Sequence, residues 1–174
     1  MERPNAWLTY SDADMQDLET VAKKYRHFLN VGKTERECIT QIVKEAEEAG
    51  YVSLEEKVKN GEALKAGDKV YQVGMQKIIA LYHIGEEDLA QGMNILCAHI
   101  DSPRLDIKQN PLYEDTDLAY LDTHYYGGVK KYQWVALPMA MHGVIVKKDG
   151  TVVNVTVGED EDDPVLYITD LLIH

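Results

Sequence analysis

Cysteine, phenylalanine and positive charge are all scarce in this chain of 174 residues. Its two cysteines, Cys38 and Cys97, lie inside apolar patterns and are too few for a disulfide framework or a cysteine-based zinc motif. Both are expected to be buried thiols of a reducing, cytoplasmic environment. No run approaches the roughly 18 apolar residues that a membrane helix needs. Early acidic residues and the lack of an apolar stretch predict no secretion signal.

The charge balance narrows the possible partners. Thirty Asp and Glu residues against 18 Lys and Arg residues give a net charge of −12, and no basic cluster interrupts the acidic background. Nucleic acid and anionic membrane surfaces are therefore excluded as expected partners, because their phosphates would be repelled. The 45% share of apolar residues is typical of a globular chain with a buried core.

Two amphipathic helices are predicted at the start of the chain. Ser11 and Asp14 indicate a capping box for the first helix, and Gly32 is its expected end. Thr34 and Glu37 form a second capping box, which opens the second helix. Apolar residues recur at helical spacing in both, namely Met15, Leu18, Val21, Ala22, Tyr25, Phe28 and Leu29, then Cys38, Ile39, Ile42, Val43 and Ala46.

The next segments favour a sheet. Residues 54–68 are polar and contain glycine, which predicts a loop or a short broken helix. KVYQV (69–73) and QKIIALYHIG (76–85) are expected to pair as a hairpin around Gly74. MNILCAHI (93–100) is a continuous apolar run, which predicts a strand covered on both faces, as in an α/β sheet.

The pattern changes after Pro103. Only short strand-like runs follow, and Asp149-Gly150 marks the bend of a strong hairpin signal. We therefore predict an α/β half, residues 1–102, followed by an all-β half, residues 103–174. The expected β runs are RLDIK (104–108), KYQWVAL (131–137), MHGVIVK (141–147), TVVNVTV (151–157) and VLYIT (165–169).

His99 and Asp101 end the apolar run and are the candidate site. Residues two apart on an extended strand point to the same side, so the two side chains can face one pocket. A neutral imidazole is a good zinc ligand, and a neighbouring carboxylate can orient it. His-x-Asp is also a common tripeptide. The pair by itself leaves open a histidine that is only a hydrogen-bonded residue at a strand end.

A longer likeness surrounds this pair. LCAHIDSPRLDIKQNPLYE resembles the first metal-ligand segment of the aspartyl aminopeptidase family, which are co-catalytic zinc aminopeptidases. The likeness continues through THYYGGVKKYQWVALPMAMHGVIVKKDGT and VGEDEDDPVLYITDLL, from about Tyr71 onward, and points to the bacterial-type branch. The resemblance implies a peptide substrate, two zinc ions per site and a homo-oligomer. It also implies the start of a zinc-peptidase α/β domain, followed by the start of an inserted β domain for lid and dimer contacts.

The resemblance assigns a role to each residue of the pair. His99 matches the histidine that binds one metal, and Asp101 matches the catalytic-site aspartate that supports it. The family's other ligands and its general-base glutamate lie in a later segment that these residues do not include. Glu47-Glu48, Glu55-Glu56 and Glu86-Glu87 have no companion ligand beside them. The chain is therefore expected to be an amino-terminal portion, inactive alone, with its substrate-binding residues and substrate preference unassigned.

Other interpretations stay open. The chain could be a non-catalytic oligomerisation or binding module derived from such an enzyme. A serine hydrolase using Ser102 is disfavoured, because a following proline replaces the glycine-flanked elbow that exposes such a nucleophile. GEDEDDP (158–164) indicates a solvated connector, and the aromatics of HYYGGVKKYQW (124–134) indicate an interface or ordinary sheet packing. An unpaired MNILCAHI strand would make the isolated chain oligomerise or aggregate.

Overall fold

Helices dominate the first part of the chain and β hairpins the second. The structure, a computed structural model, describes residues 3–170. It divides into two compact units, the first ending at His99 and the second beginning at Ile100. Within residues 3–170, no helix has both the length and the apolar character needed to span a membrane. The elements are α1 (Asp12–Val31), α2 (Glu35–Glu48), β1 (Val52–Ser53), α3 (Leu54–Lys59), β2 (Lys69–Gly74), β3 (Ile78–His83), β4 (Arg104–Asp115), β5 (Leu118–Tyr126), β6 (Met141–Val146) and β7 (Val152–Val157).

Both predicted helices are confirmed, together with their caps. The Ser11 N–H donates to Asp14 Oδ2 at 2.8 Å, and the Asp14 N–H donates back to Ser11 Oγ at 3.2 Å. Thr34 and Glu37 exchange the same two bonds at 2.9 and 3.4 Å. Each box satisfies backbone N–H groups that have no partner inside the helix. Gly32 ends α1, and its N–H donates to a helix carbonyl.

The core of the first unit lies where α2 packs on a small sheet. Strand β1 runs parallel to β2, and β2 pairs antiparallel with β3. Val70 on β2 is 0% exposed, and three residues of α2 are buried with it: Cys38, Ile39 and Ala46. The predicted hairpin is confirmed. Its turn is formed by Met75 and Gln76, both with positive φ, directly after Gly74.

The predicted strand at residues 93–100 is wrong for this structure. The segment has no regular secondary structure, and its apolar side chains face solvent, with Ile95 69% and Leu96 100% exposed. Cys97 is also exposed, contrary to the expectation of a buried thiol. A strand is stabilised by hydrogen bonds to a neighbouring strand. The sheet of the first unit, in the order β1-β2-β3, does not include this run among the described residues.

The second unit holds two antiparallel hairpins. Strands β4 and β5 pair from Arg104 opposite Tyr126 to the turn at residues 116–117, with a register shift after Ile107. Pro111 lies in that irregular stretch, which accommodates a residue that cannot donate to the ladder. Strands β6 and β7 pair in continuous register, and Gly150 has a φ of +86° at their bend. The predicted Asp-Gly hairpin is confirmed.

Two other β predictions hold only in part. KYQWVAL begins with a 3-10 turn, Lys131–Gln133, and only Val135 makes an isolated bridge, to Ile168. VLYIT likewise contributes isolated bridges and no continuous strand in the described part of the chain. Ala136 has a φ of +58°, and this left-handed residue interrupts the extended backbone that a strand requires.

Candidate functional site

The two predicted site residues lie in the irregular segment that precedes β4. His99 is exposed and is the last residue of the first unit, whereas Asp101 is half-buried and belongs to the second unit. The sequence argument placed both side chains at the end of a buried strand. The structure retains their positions just before β4 but not that strand. The expected shared pocket therefore stays a prediction.

Asp101 is held by a residue that sequence reasoning did not assign to the site. The Tyr126 hydroxyl donates a hydrogen bond of 2.9 Å to Asp101 Oδ2. The guanidinium carbon of Arg104 lies 4.2 Å from the centroid of the Tyr126 ring, and Arg104 Nε donates to Asp106 Oδ1 at 2.7 Å. The aromatic run at 124–134 was a signal for Tyr126. Its contact with Asp101 spans 25 positions and depends on hairpin register.

The hairpin end is close-packed around this contact. Arg104 and Tyr126 are directly opposite each other, as the pair of β4 and β5 farthest from the turn. Gly127 follows with a φ of +73°, and a Cβ at that position would lie 3.5 Å from Pro103. The glycine therefore lets the chain turn sharply beside the proline. Gly127, which follows Tyr126, and Pro103, which precedes β4, therefore lie side by side at this end of the hairpin.

The donor types fit zinc, but their number does not complete a site. An exposed imidazole at residue 99 and a carboxylate at residue 101 are groups that zinc sites use as ligand and supporting partner. A catalytic zinc takes about three protein ligands. Residues 3–170 contain no group of three or more His, Cys, Asp or Glu side chains that could hold a metal ion. The metal-ligand role of His99 and the supporting role of Asp101 therefore stay predictions.

The acidic segment at 158–164 is a connector. One Asp163 carboxylate oxygen accepts from the N–H groups of Gly158, at 2.8 Å, and Asp160, at 3.4 Å. His142 Nε2 lies 2.9 Å from Glu159 Oε1, which ties β6 to the same loop. These contacts stabilise the turn after β7, in agreement with the predicted solvated connector.

The two thiols have different environments. Cys38 is buried on α2, and burial raises the pKa of its thiol, with the nearby carboxylates of Glu37 and Glu35 acting in the same direction. A thiol that is mostly protonated is a weak nucleophile. Cys38 is therefore a packing residue of the first unit, as the sequence predicted.

Comparison with known protein families identifies the class. Residues 28–174 match the family described as aminopeptidase I zinc metalloprotease (M18). This match covers most of the chain, including His99 and Asp101. The chain therefore belongs to the M18 family of zinc metalloproteases, which confirms the family suggested by the residues around His99.

Individual relatives agree with that assignment. A probable M18 family aminopeptidase 1 of Clostridium acetobutylicum is 56% identical over 173 residues, which is 99% of this chain and 37% of the relative. The solved aminopeptidase I of Borrelia burgdorferi has a TM-score of 0.88 at 35% identity, over 98% of this chain and 41% of that one. The M18 aminopeptidase structure from Thermotoga maritima has a TM-score of 0.87 at 42% identity, over 100% of this chain and 37% of that one. This chain spans about 37% of the length of the curated relatives it matches. Its helices and sheets, together with these two solved structures, confirm the predicted α/β class.

Proposed function

We propose that this chain is the amino-terminal portion of a zinc-dependent aminopeptidase that removes N-terminal residues from peptides. The match of residues 28–174 to a zinc metalloprotease family carries the proposal. The relatives named as probable aminopeptidases support the peptide substrate. In this proposal His99 is a metal ligand and Asp101 is the catalytic-site carboxylate that orients its imidazole. Bound zinc supplies Lewis acidity toward the scissile carbonyl.

The chain alone is not expected to turn over peptides. His99 is exposed and Asp101 accepts a hydrogen bond from Tyr126, but the described residues contain no group of three or more His, Cys, Asp or Glu side chains that could hold a metal ion. The remaining ligands and the general base are expected from the additional length that the relatives have. Substrate-binding residues are not assigned to this chain.

The same proposal divides the chain by role. Residues 1–102 belong to the α/β peptidase domain, and residues 103–174 form the first part of an inserted β domain that covers the site and contributes subunit contacts. The change from helices to hairpins supports this division. A homo-oligomer in the cytoplasm is part of the proposal, and the buried thiol of Cys38 is consistent with a reducing compartment.

A complementation assay tests the function. The chain is mixed, in the presence of zinc, with the separately produced carboxyl-terminal portion of the Clostridium acetobutylicum relative. Activity is measured on aminoacyl p-nitroanilides with acidic and neutral side chains. We expect no turnover by the chain alone and turnover by the mixture. His99→Ala should abolish that turnover, whereas His83→Ala, on an exposed position of β3, should leave it unchanged. Turnover by the His99→Ala mixture at the level of the His83→Ala mixture would refute the metal-ligand role of His99.

A non-catalytic oligomerisation or binding module is the second candidate. The exposure of Ile95 and Leu96 favours it, because solvent-facing apolar segments are typical of contact surfaces. This alternative predicts self-association without zinc and no turnover in the mixture. Turnover by the mixture separates the two candidates, and sedimentation velocity of the chain without zinc tests the self-association that the second candidate requires.

A further inference from the structure

The contact between Tyr126 and Asp101 connects the proposed site to the β4–β5 hairpin. The Tyr126 hydroxyl reaches Asp101 Oδ2 at 2.9 Å, which is within the usual range for a hydroxyl donor. A bond from a hydroxyl to a charged acceptor is stronger than one between neutral groups. Asp101 lies outside regular secondary structure, so a fixed donor on a strand restricts where its carboxylate can point.

The ring of the donor is contacted by Arg104, which is itself held by an ion pair. Arg104 is opposite Tyr126 in the strand register, and its guanidinium lies over the Tyr126 ring at 4.2 Å. Asp106, two residues further along β4, accepts from Arg104 Nε at 2.7 Å. Residues two apart on a strand share a face, so this ion pair keeps the guanidinium over the ring. The Tyr126 ring is therefore positioned by a cation–π contact with a guanidinium that Asp106 holds in place.

We propose that Tyr126 is a positioning residue that holds the Asp101 carboxylate in place, with Arg104 fixing the Tyr126 ring. This inference rests on the proposed function, in which Asp101 supports the metal ligand His99. Tyr126 acts through Asp101: its hydroxyl affects zinc binding by fixing the position of the Asp101 carboxylate, and it is not a group that contacts substrate. The neighbouring Tyr125 serves as a matched control, because it is 54% exposed and its ring stacks on His124.

The first measurement needs no metal. Tyr126→Phe removes the hydroxyl and keeps the ring under Arg104. In the 174-residue chain, the carboxyl carbon resonance of Asp101 should move, and the Asp101 side chain should gain fast motion by NMR relaxation. Tyr125→Phe should change neither observable. If Tyr126→Phe leaves the Asp101 resonance and its motion as in the wild type, the inference is overturned.

The second measurement connects the contact to the site. Zn²⁺ alone is titrated into the chain while the His99 ring resonances are followed, with the unfolding midpoint recorded for each variant. Tyr126→Phe should weaken zinc binding at His99 by about 3- to 10-fold, toward the value for Asp101→Asn, since partners of a ligand's supporting group tune metal affinity. The unfolding midpoint and the Tyr125→Phe variant should both stay close to the wild type.

The outcomes separate the two proposals. If Asp101→Asn weakens zinc binding and Tyr126→Phe does not, Tyr126 is only a structural contact and the inference fails while the proposed function stands. If Asp101→Asn binds zinc at His99 as the wild type does, the proposed role of Asp101 fails, and the inference fails with it. A loss shared by Tyr126→Phe and Asp101→Asn, but not by Tyr125→Phe, supports both.

Discussion

Replacing Val70 by alanine tests whether the small core of the first unit determines its stability. Val70 is 0% exposed and lies on β2, the central strand of the sheet, opposite Val52 of β1 and Tyr82 of β3. Removing two buried methyl groups costs about 1.6 kcal/mol in lost burial. The space left behind raises the loss to about 2–3 kcal/mol if the neighbours do not collapse into it. Few other described residues of this unit are buried, so this loss is a large share of its stability.

Urea unfolding followed by circular dichroism measures the change. Val58→Ala is the matched control, because Val58 is 68% exposed on α3 and the same two methyl groups there face solvent. The control should stay within about 0.5 kcal/mol of the wild type. If Val70→Ala lowers the free energy of unfolding by less than about 1 kcal/mol, or by no more than Val58→Ala does, the conclusion that Val70 is the centre of the core is refuted.

Three further changes have defined outcomes. The Tyr71 hydroxyl donates to Glu47 at 2.8 Å, and that bond raises the pKa of Tyr71 to about 12. The folded pKa is above the ordinary value of about 10, so the stabilisation is complete below pH 10 and disappears between pH 10 and 12. At pH 7, Tyr71→Phe should lower the free energy of unfolding, measured with urea, by about 1 kcal/mol after screening by solvent. Near pH 12 the variant and the wild type should have similar free energies of unfolding. Thr34→Ala should cost about 1 kcal/mol by removing the α2 cap, whereas Thr40→Ala, inside the helix, should be neutral or stabilising; equal losses in thermal unfolding would argue against the cap. Leu96→Glu should reduce self-association of the chain in sedimentation velocity without lowering its unfolding midpoint, and a wild type that is already a uniform monomer would contradict the exposed-segment argument.

Local patterns predicted the elements whose stabilising contacts are themselves local. A capping box links residues three apart, as with Ser11 and Asp14, so the amino-acid sequence alone indicates where the helix starts. Asp149-Gly150 specifies its hairpin because the glycine adopts positive φ within the turn itself. The family could also be predicted from the sequence alone, since the resemblance around His99 depends only on the order of residues along the chain.

The remaining features depend on distant residues. The apolar run at 93–100 satisfies every local rule for a strand, but pairing requires a neighbour, and the described sheet has none for it. The Tyr126–Asp101 bond arises because the β4–β5 register brings a tyrosine next to a residue 25 positions earlier. No local pattern encodes that register. Sequence reasoning therefore found the aromatic run but not the contact.

The exposed apolar segment and the candidate ligand His99 are continuous in sequence. Strand pairing of the segment and metal binding by His99 should therefore depend on each other. Leu96 is three residues before His99, so any strand that pairs with the segment would also fix the backbone that carries the imidazole. A fixed backbone lowers the entropy lost when zinc orders the ring, so pairing and metal binding should strengthen each other. In the complementation assay, Leu96→Glu should therefore raise the zinc concentration needed for half-maximal activity, although residue 96 is not itself a ligand. A Leu96→Glu mixture with less complex but unchanged zinc dependence would show that the segment contributes only to association.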